Sequence, residues 1–200
     1  GQGYTLATPM QLAQATAILA NKGIAMRPRL VSAIADPKTD IAKATQPIIS
    51  NKIALDENNL EIVRLGMIDV TLPGGTAASV GANAGYNVAA KTGTAQVIGI
   101  KQNEKYNADL INERHRDHAL FIAYAPAENP KIALAVIVEN GGHGGSAAGP
   151  IARKVMDYFL LGKVPAKDTP EDVVVKTPAE LNSTSPDRQS TNTTEEVHYD

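Results

Sequence analysis

Three consecutive strand-like stretches, at 89–97, 118–125 and 131–138, constrain this chain more than any other feature. In the second, Leu120, Ile122 and Tyr124 alternate with Phe121 and Ala123, the period of two expected of a strand. Pro126-Ala127-Glu128-Asn129-Pro130 reads as a turn, and the apolar stretch after it is long enough to be buried on both faces. The polar segment 101–117 joins the first two strands, and loops of that length are usually functional or disordered. Strands so connected read as an antiparallel meander. With helical segments on either side, the expected class is α/β (α+β), an antiparallel sheet carrying packed helices.

The helical segments have clear boundaries. Thr8-Pro9-Met10-Gln11 combines a cap, a proline at the first helical position and a glutamine that completes a capping box. Leu12, Ala13, Thr16, Leu19 and Ala20 then share a face, and Gly23 reads as the C′ residue. Asp56 caps a second helix, with Leu55 and Leu60 placed for a hydrophobic staple. Leu60, Val63, Met67 and Val70 form its expected buried stripe, and Pro73-Gly74-Gly75 stops it. Thr76 to Ser79 makes a further turn or short helix. Between the two helices, 26–34 suggests one short peripheral strand, 36–40 a turn, and 41–53 a second edge strand. The run from Gly141 to Ser146 is expected to be a flexible loop leading into a last helix. That helix would hold Pro150 in its first turn, share a face among Ile151, Val155, Tyr158 and Phe159, and close at Gly162. Apolar periodicity disappears after 163, so the expected organisation is one domain over 1–162 and a disordered tail over 163–200.

Composition excludes several classes. A net charge of −2, with no basic cluster interleaved with aromatics, argues against a nucleic-acid partner. Without cysteine there is neither a disulfide framework nor a thiolate metal site. No apolar run approaches the roughly 20 residues that span a bilayer. Gly1-Gln2-Gly3-Tyr4 opens almost directly into a helix cap, which reads as the C-terminal part of a longer polypeptide.

The chemistry concentrates in the first strand, at Lys91-Thr92-Gly93-Thr94. A cation beside hydroxyl donors suits a carboxylate, and a glycine within a strand marks close backbone approach. The same residues would also suit an edge strand whose lysine discourages pairing with another sheet. Strict alternation puts Lys91 and Thr92 on opposite faces, so both serve one site only at a sheet edge or where the strand twists.

Other candidates are weaker. His115 and His118 sit three apart near Glu113 and Asp117, but Arg114 and Arg116 would repel a cation, and a solvated loop is the better reading. His143 among glycines could line a site mouth. The glycine-rich run there lacks P-loop or dinucleotide spacing. No Gly-x-Ser-x-Gly elbow occurs, and no serine is followed three residues later by lysine. Ser185-Pro186-Asp187 and Ser190-Thr191-Asn192 have Ser-x-Asp/Asn spacing but fall in the expected tail. No metal and no cofactor is expected.

Lys91-Thr92-Gly93 on a strand resembles the third motif of the penicillin-binding proteins and serine β-lactamases, whose set is Ser-x-x-Lys, Ser-x-Asn/Asp and Lys-Thr-Gly. The opening run from Gly1 to Ala13, with Val138-Glu139-Asn140-Gly141-Gly142-His143-Gly144, resembles more specifically the class B transpeptidases of the cell-elongation type. The resemblance covers 1–162 and departs from the full pattern in lacking the first two motifs. It implies a peptidoglycan D,D-transpeptidase acting on D-Ala-D-Ala stem peptides, inhibited covalently by β-lactam antibiotics. It also implies anchorage in the bacterial inner membrane with a periplasmic catalytic domain, among the membrane-bound cell-wall elongation machinery. Lys91 would hold the substrate carboxylate and steer protons, Thr92 would hydrogen-bond that carboxylate, and Gly93 would let the peptide lie along the strand. The Thr94 N–H would form half of an oxyanion hole. By the same resemblance, this chain alone is expected to be inactive. A serine β-lactamase-like hydrolase and a non-catalytic penicillin-binding sensor module are the alternatives.

Overall fold

The computed structural model describes residues 5–39, 41–99 and 111–164. Its centre is a three-stranded antiparallel sheet in the order β5-β6-β7, formed by β5 (Ala89–Ala95), β6 (His118–Ala125) and β7 (Ile132–Val138). This is the expected meander with helices packed against it. Alternation along β6 sorts the core into two faces. Ala119, Phe121, Ala123 and Ala125 meet α4 (Gly144–Leu161), and Tyr124 meets Met67 of α2 (Glu57–Asp69) and Leu19 of α1 (Pro9–Ala20). β7 is less covered than its sequence suggests, since only Leu134 is fully buried.

α1 starts as its sequence dictates. The Gln11 N–H donates to Thr8 Oγ1 at 3.2 Å, and the Thr8 N–H donates to Gln11 Oε1 at 2.8 Å, a complete capping box. At its other end the cap is Asn21, so Lys22 (φ 52°) rather than Gly23 takes the C′ position. Gly23 has a different duty. A Cβ there would lie 2.2 Å from the Ile53 carbonyl, whose own N–H donates back to Gly23 O.

The peripheral region departs from expectation. Instead of one strand over 26–34 and one over 41–53, four short strands form two ribbons. β1 (Ile24–Met26) pairs with β4 (Ile49–Lys52), and β2 (Ala33–Ala35) pairs with β3 (Ala42–Ala44). Pro28 has no N–H to give a ladder, and Leu30 is fully exposed. In α2 the Asp56 cap is present, but Val63 is exposed and Met67 carries the buried contact. That helix ends at Asp69, capped by Val70, before Pro73-Gly74-Gly75 is reached. The short helix α3 (Ala78–Gly81) follows.

The largest correction concerns α4. It begins at Gly144, inside the run expected to be a flexible loop, so Pro150 falls at the seventh helical position. Ile151, Val155 and Phe159 are 45%, 43% and 45% exposed, while Gly144, Ala148, Gly149, Ala152 and Met156 face the sheet. Small residues win the interface because the helix lies close. A Cβ on Gly149 would come within 2.8 Å of Val80. Gly162 closes the helix in the left-handed conformation, as expected.

α4 is tied to the α3–β5 connection by one polar cluster. Arg153 donates to the carbonyls of Val80, Ala82 and Asn83 at 2.7–3.0 Å and to Asp157 at 2.9 Å. The Tyr86 hydroxyl donates to Asp157 at 2.6 Å. Burial, reinforced by that hydrogen bond, pushes the Tyr86 phenol well above its ordinary value. For Asp157 burial alone pushes upward, but the bonds from Tyr86 and Arg153 outweigh it and hold the carboxyl below its usual range.

Candidate active site

Among the described residues β5 pairs only with β6, which leaves its other side as an open sheet edge. Register fixes which way each side chain leaves the strand. Thr92 and Thr94 stand opposite Phe121 and Ala119 on the α4 face, and Lys91 and Gly93 stand opposite Ile122 and Leu120 on the other. Opposite faces nevertheless meet in one place. A cavity of about 570 Å³ at the open edge is lined by Thr76, Lys91, Thr92, Gly93, Thr94, His143, Gly144, Gly145 and Ser146. The choice left open between a sheet edge and a twisted strand therefore falls to the edge.

The lining is one-sided in charge. Lys91 supplies an ammonium, four residues supply hydroxyls, and among the described residues no carboxylate takes part. The N-terminus of the 18-residue α4 adds the positive end of a helix dipole and first-turn N–H groups without helical partners. The Thr76 and Thr92 hydroxyls lie 3.3 Å apart, and the Lys91 ammonium donates to the Thr92 carbonyl at 2.9 Å. Ser146 Oγ donates to His143 O at 3.2 Å. Such a surface suits an anion that accepts several hydrogen bonds, a carboxylate above all.

Glycines set the spacing. A Cβ on Gly144 would lie 2.1 Å from Leu120 O and 2.7 Å from Gly93 O, so only glycine lets α4 start directly against β5 and β6. A Cβ on Gly145 would lie 2.4 Å from Thr76 O. At Gly93 the nearest atom would be Leu120 Cβ at 3.2 Å, a cross-strand contact rather than one at the open edge.

The structure thus brings together Lys91, Thr92, Gly93, Thr94 and His143. It adds Thr76 and Ser146, which sequence reasoning left in a turn and a loop. His118 lies elsewhere, opposite Ala95, and its Nδ1 accepts the Asn140 N–H at 2.9 Å. A second cavity, of about 480 Å³, lies between α1, α2 and the β6–β7 turn. Leu19, Leu55, Leu60 and Tyr124 help to line it, it contains none of the candidate site residues, and three glutamates stand around its Lys22 and Arg64. The candidate site residues of β5 and His143 therefore gather at the edge cavity.

Residues 1–157 match the family model of the penicillin binding protein transpeptidase domain. The chain belongs to that family. Within it, the chain is 45% identical over 171 residues to the peptidoglycan D,D-transpeptidase MrdA of Haemophilus influenzae, covering 82% of this chain and 25% of that one. The crystal structure of Pseudomonas aeruginosa PBP2 in complex with WCK 5153 superposes with a TM-score of 0.64 at 45% identity, over 83% of this chain and 34% of that one. The penicillin G acyl-enzyme complex of penicillin-binding protein A from Mycobacterium tuberculosis does so with a TM-score of 0.57 at 33% identity, over 78% of this chain and 33% of that one. This transpeptidase-family chain spans about a quarter to a third of the length of the proteins it matches.

Proposed function

We propose that this chain supplies the carboxylate-binding and oxyanion-binding half of a peptidoglycan D,D-transpeptidase site. The observation that carries this is the meeting of Lys91 and Thr92, from opposite faces of β5, in one edge cavity that no carboxylate lines among the described residues. The Lys91 ammonium and the Thr92 hydroxyl would hold the terminal carboxylate of a D-Ala-D-Ala stem peptide, and Lys91 would steer protons to and from the reacting serine. Gly93, whose added Cβ would press on Leu120 Cβ, keeps β5 close to β6, and the peptide would lie along the strand beside it. Backbone N–H and C=O groups of one residue point the same way and recur at every second residue. The Thr92 carbonyl takes the Lys91 ammonium, and by this alternation the Thr94 N–H lies on the same side of the strand as that carbonyl. It would stabilise the tetrahedral oxyanion, a contribution typically worth about 3–4 kcal/mol.

The sequence contains no Ser-x-x-Lys, so on this reading the nucleophile would be supplied from outside it. A serine oxygen would attack the penultimate D-Ala carbonyl, terminal D-Ala would leave with a proton on its nitrogen, and an amine of a second strand would take the acyl group. A β-lactam ring places a reactive carbonyl and a carboxylate at comparable positions, so penicillins would acylate the same serine and stay. The reading sets the protein in the periplasm, anchored in the bacterial inner membrane beside the other membrane-bound components of the elongation machinery. Among the described residues no helix is long and apolar enough to cross a membrane, so the anchor would lie outside them.

The deciding experiment is the intact mass of the full-length protein after incubation with benzylpenicillin. A gain of one penicilloyl group, abolished by Lys91→Ala and by replacing the upstream serine, is expected. An adduct that hydrolyses within seconds would make the protein a β-lactamase. Absence of an adduct would make it a binding module.

A further inference from the structure

The turn between β7 and α4 contains one residue whose geometry exceeds what a turn requires. Asn140 has φ 57°, in the left-handed region that few non-glycine residues enter and asparagine tolerates best. Its backbone N–H donates to His118 Nδ1 at 2.9 Å, which fixes that imidazole with its proton on Nε2. Its side-chain amide donates to the carbonyls of Arg114 at 3.1 Å and Arg116 at 2.9 Å. Two residues later, the Gly142 N–H donates to Asp117 O at 2.9 Å. Four hydrogen bonds therefore strap residues 114–118 to the turn that leads into α4.

Both ends of this strap adjoin residues that line the edge cavity. At one end His118 opens β6 opposite Ala95, and the next pair in the ladder is Ala119 with Thr94. At the other end come His143, the α4 cap, and then Gly144, Gly145 and Ser146 of the cavity lip. Gly144 has no room to shift inward, because it already touches the backbone of Gly93 and Leu120. On the other side, the strap bonds the turn that carries the lip to residues 114–118.

We propose that Asn140 is a positioning residue for acyl transfer, holding the α4 lip in register with the Thr94 end of β5; this rests on the function proposed above. Asparagine fits the position for two reasons at once. Glycine would supply the backbone conformation and the N–H to His118 but neither of the side-chain N–H donors. Aspartate would tolerate the conformation but set a carboxylate against two carbonyl oxygens.

The test uses the full-length protein with Asn140→Gly and Asn140→Asp, read by stopped-flow acylation with a fluorescent penicillin and by hydrogen exchange. The limiting acylation rate is expected to fall about 10–100-fold in both, since misplacement by about 1 Å costs that much. The non-covalent dissociation constant should change less than threefold, a split that general loss of fold does not produce. Amides of 141–146 should exchange faster while those of β6 and β7 keep their protection. Should the aspartate variant fail to fold, the glycine variant, which keeps the backbone conformation, decides. Acylation within twofold of wild type in the folded variants, or unchanged exchange at 141–146, would overturn the assignment. A wild-type protein that takes no penicillin would instead sink the functional reading, while the exchange measurement still judges the strap.

Discussion

Thr92→Val keeps the β-branched shape that suits a strand and removes only the hydroxyl 3.3 Å from Thr76. If that hydroxyl holds a substrate carboxylate, penicillin acylation of the full-length protein should fall about 10–100-fold, the equivalent of one charge-assisted hydrogen bond. The melting temperature should hardly move. Equal acylation rates would remove Thr92 from the binding role. Gly144→Ala tests the opposite case, a residue needed for space alone. Its Cβ would meet backbone rather than a flexible side chain, so α4 must shift, at a cost of about 1–3 kcal/mol read from denaturant unfolding. At this scale the sequence was informative where chemistry is local. Lys91 and Thr92 stand out because they are poor choices for a packed strand. Thr76 carries no such mark, since its role arises from a contact with a residue sixteen positions away.

Among the elements, α4 shows where periodicity misleads. Ile151, Val155 and Phe159 repeat every four residues and look like a buried stripe, yet the sheet is met by Gly144, Ala148, Gly149, Ala152 and Met156. Hydrophobicity ranks the first set higher. Close approach selects the second, because small side chains let the helix settle on β5 and β6. In the 200-residue chain, Met156→Ala should therefore cost about 2–5 kcal/mol, while Val155→Thr should stay within about 0.5 kcal/mol. A reversed order would restore the face read from the sequence. The starts of α1 and α2 were legible because caps are written in neighbouring residues, and Thr8→Ala should cost about 1 kcal/mol. The β1–β4 and β2–β3 ribbons were not, since their pairing joins segments up to 28 residues apart and leaves no alternating pattern.

Over the whole molecule, the Arg153–Asp157–Tyr86 cluster ties the last helix to the segment leading into β5, and its stability should depend on pH in a defined direction. Asp157 titrates lower in the folded chain than its ordinary value of 3.8 because the bonds from Tyr86 and Arg153 outweigh the opposing effect of burial. In acid the unfolded chain therefore binds this proton first. The stabilisation is fully present above the unfolded pKa and is lost as pH falls through the folded one. Tyr86 acts at the other extreme. Burial and its bond to Asp157 raise its phenol, so its contribution is present below the unfolded pKa and is lost as pH rises towards the folded one. Melting temperatures of wild type and Asp157→Asn should thus differ most near neutrality and converge below about pH 4, where the unfolded carboxyl takes up its proton. A difference that persists unchanged to pH 2 would show that the cluster holds α4 through packing of the Arg153 and Tyr86 side chains, with the carboxylate charge contributing nothing.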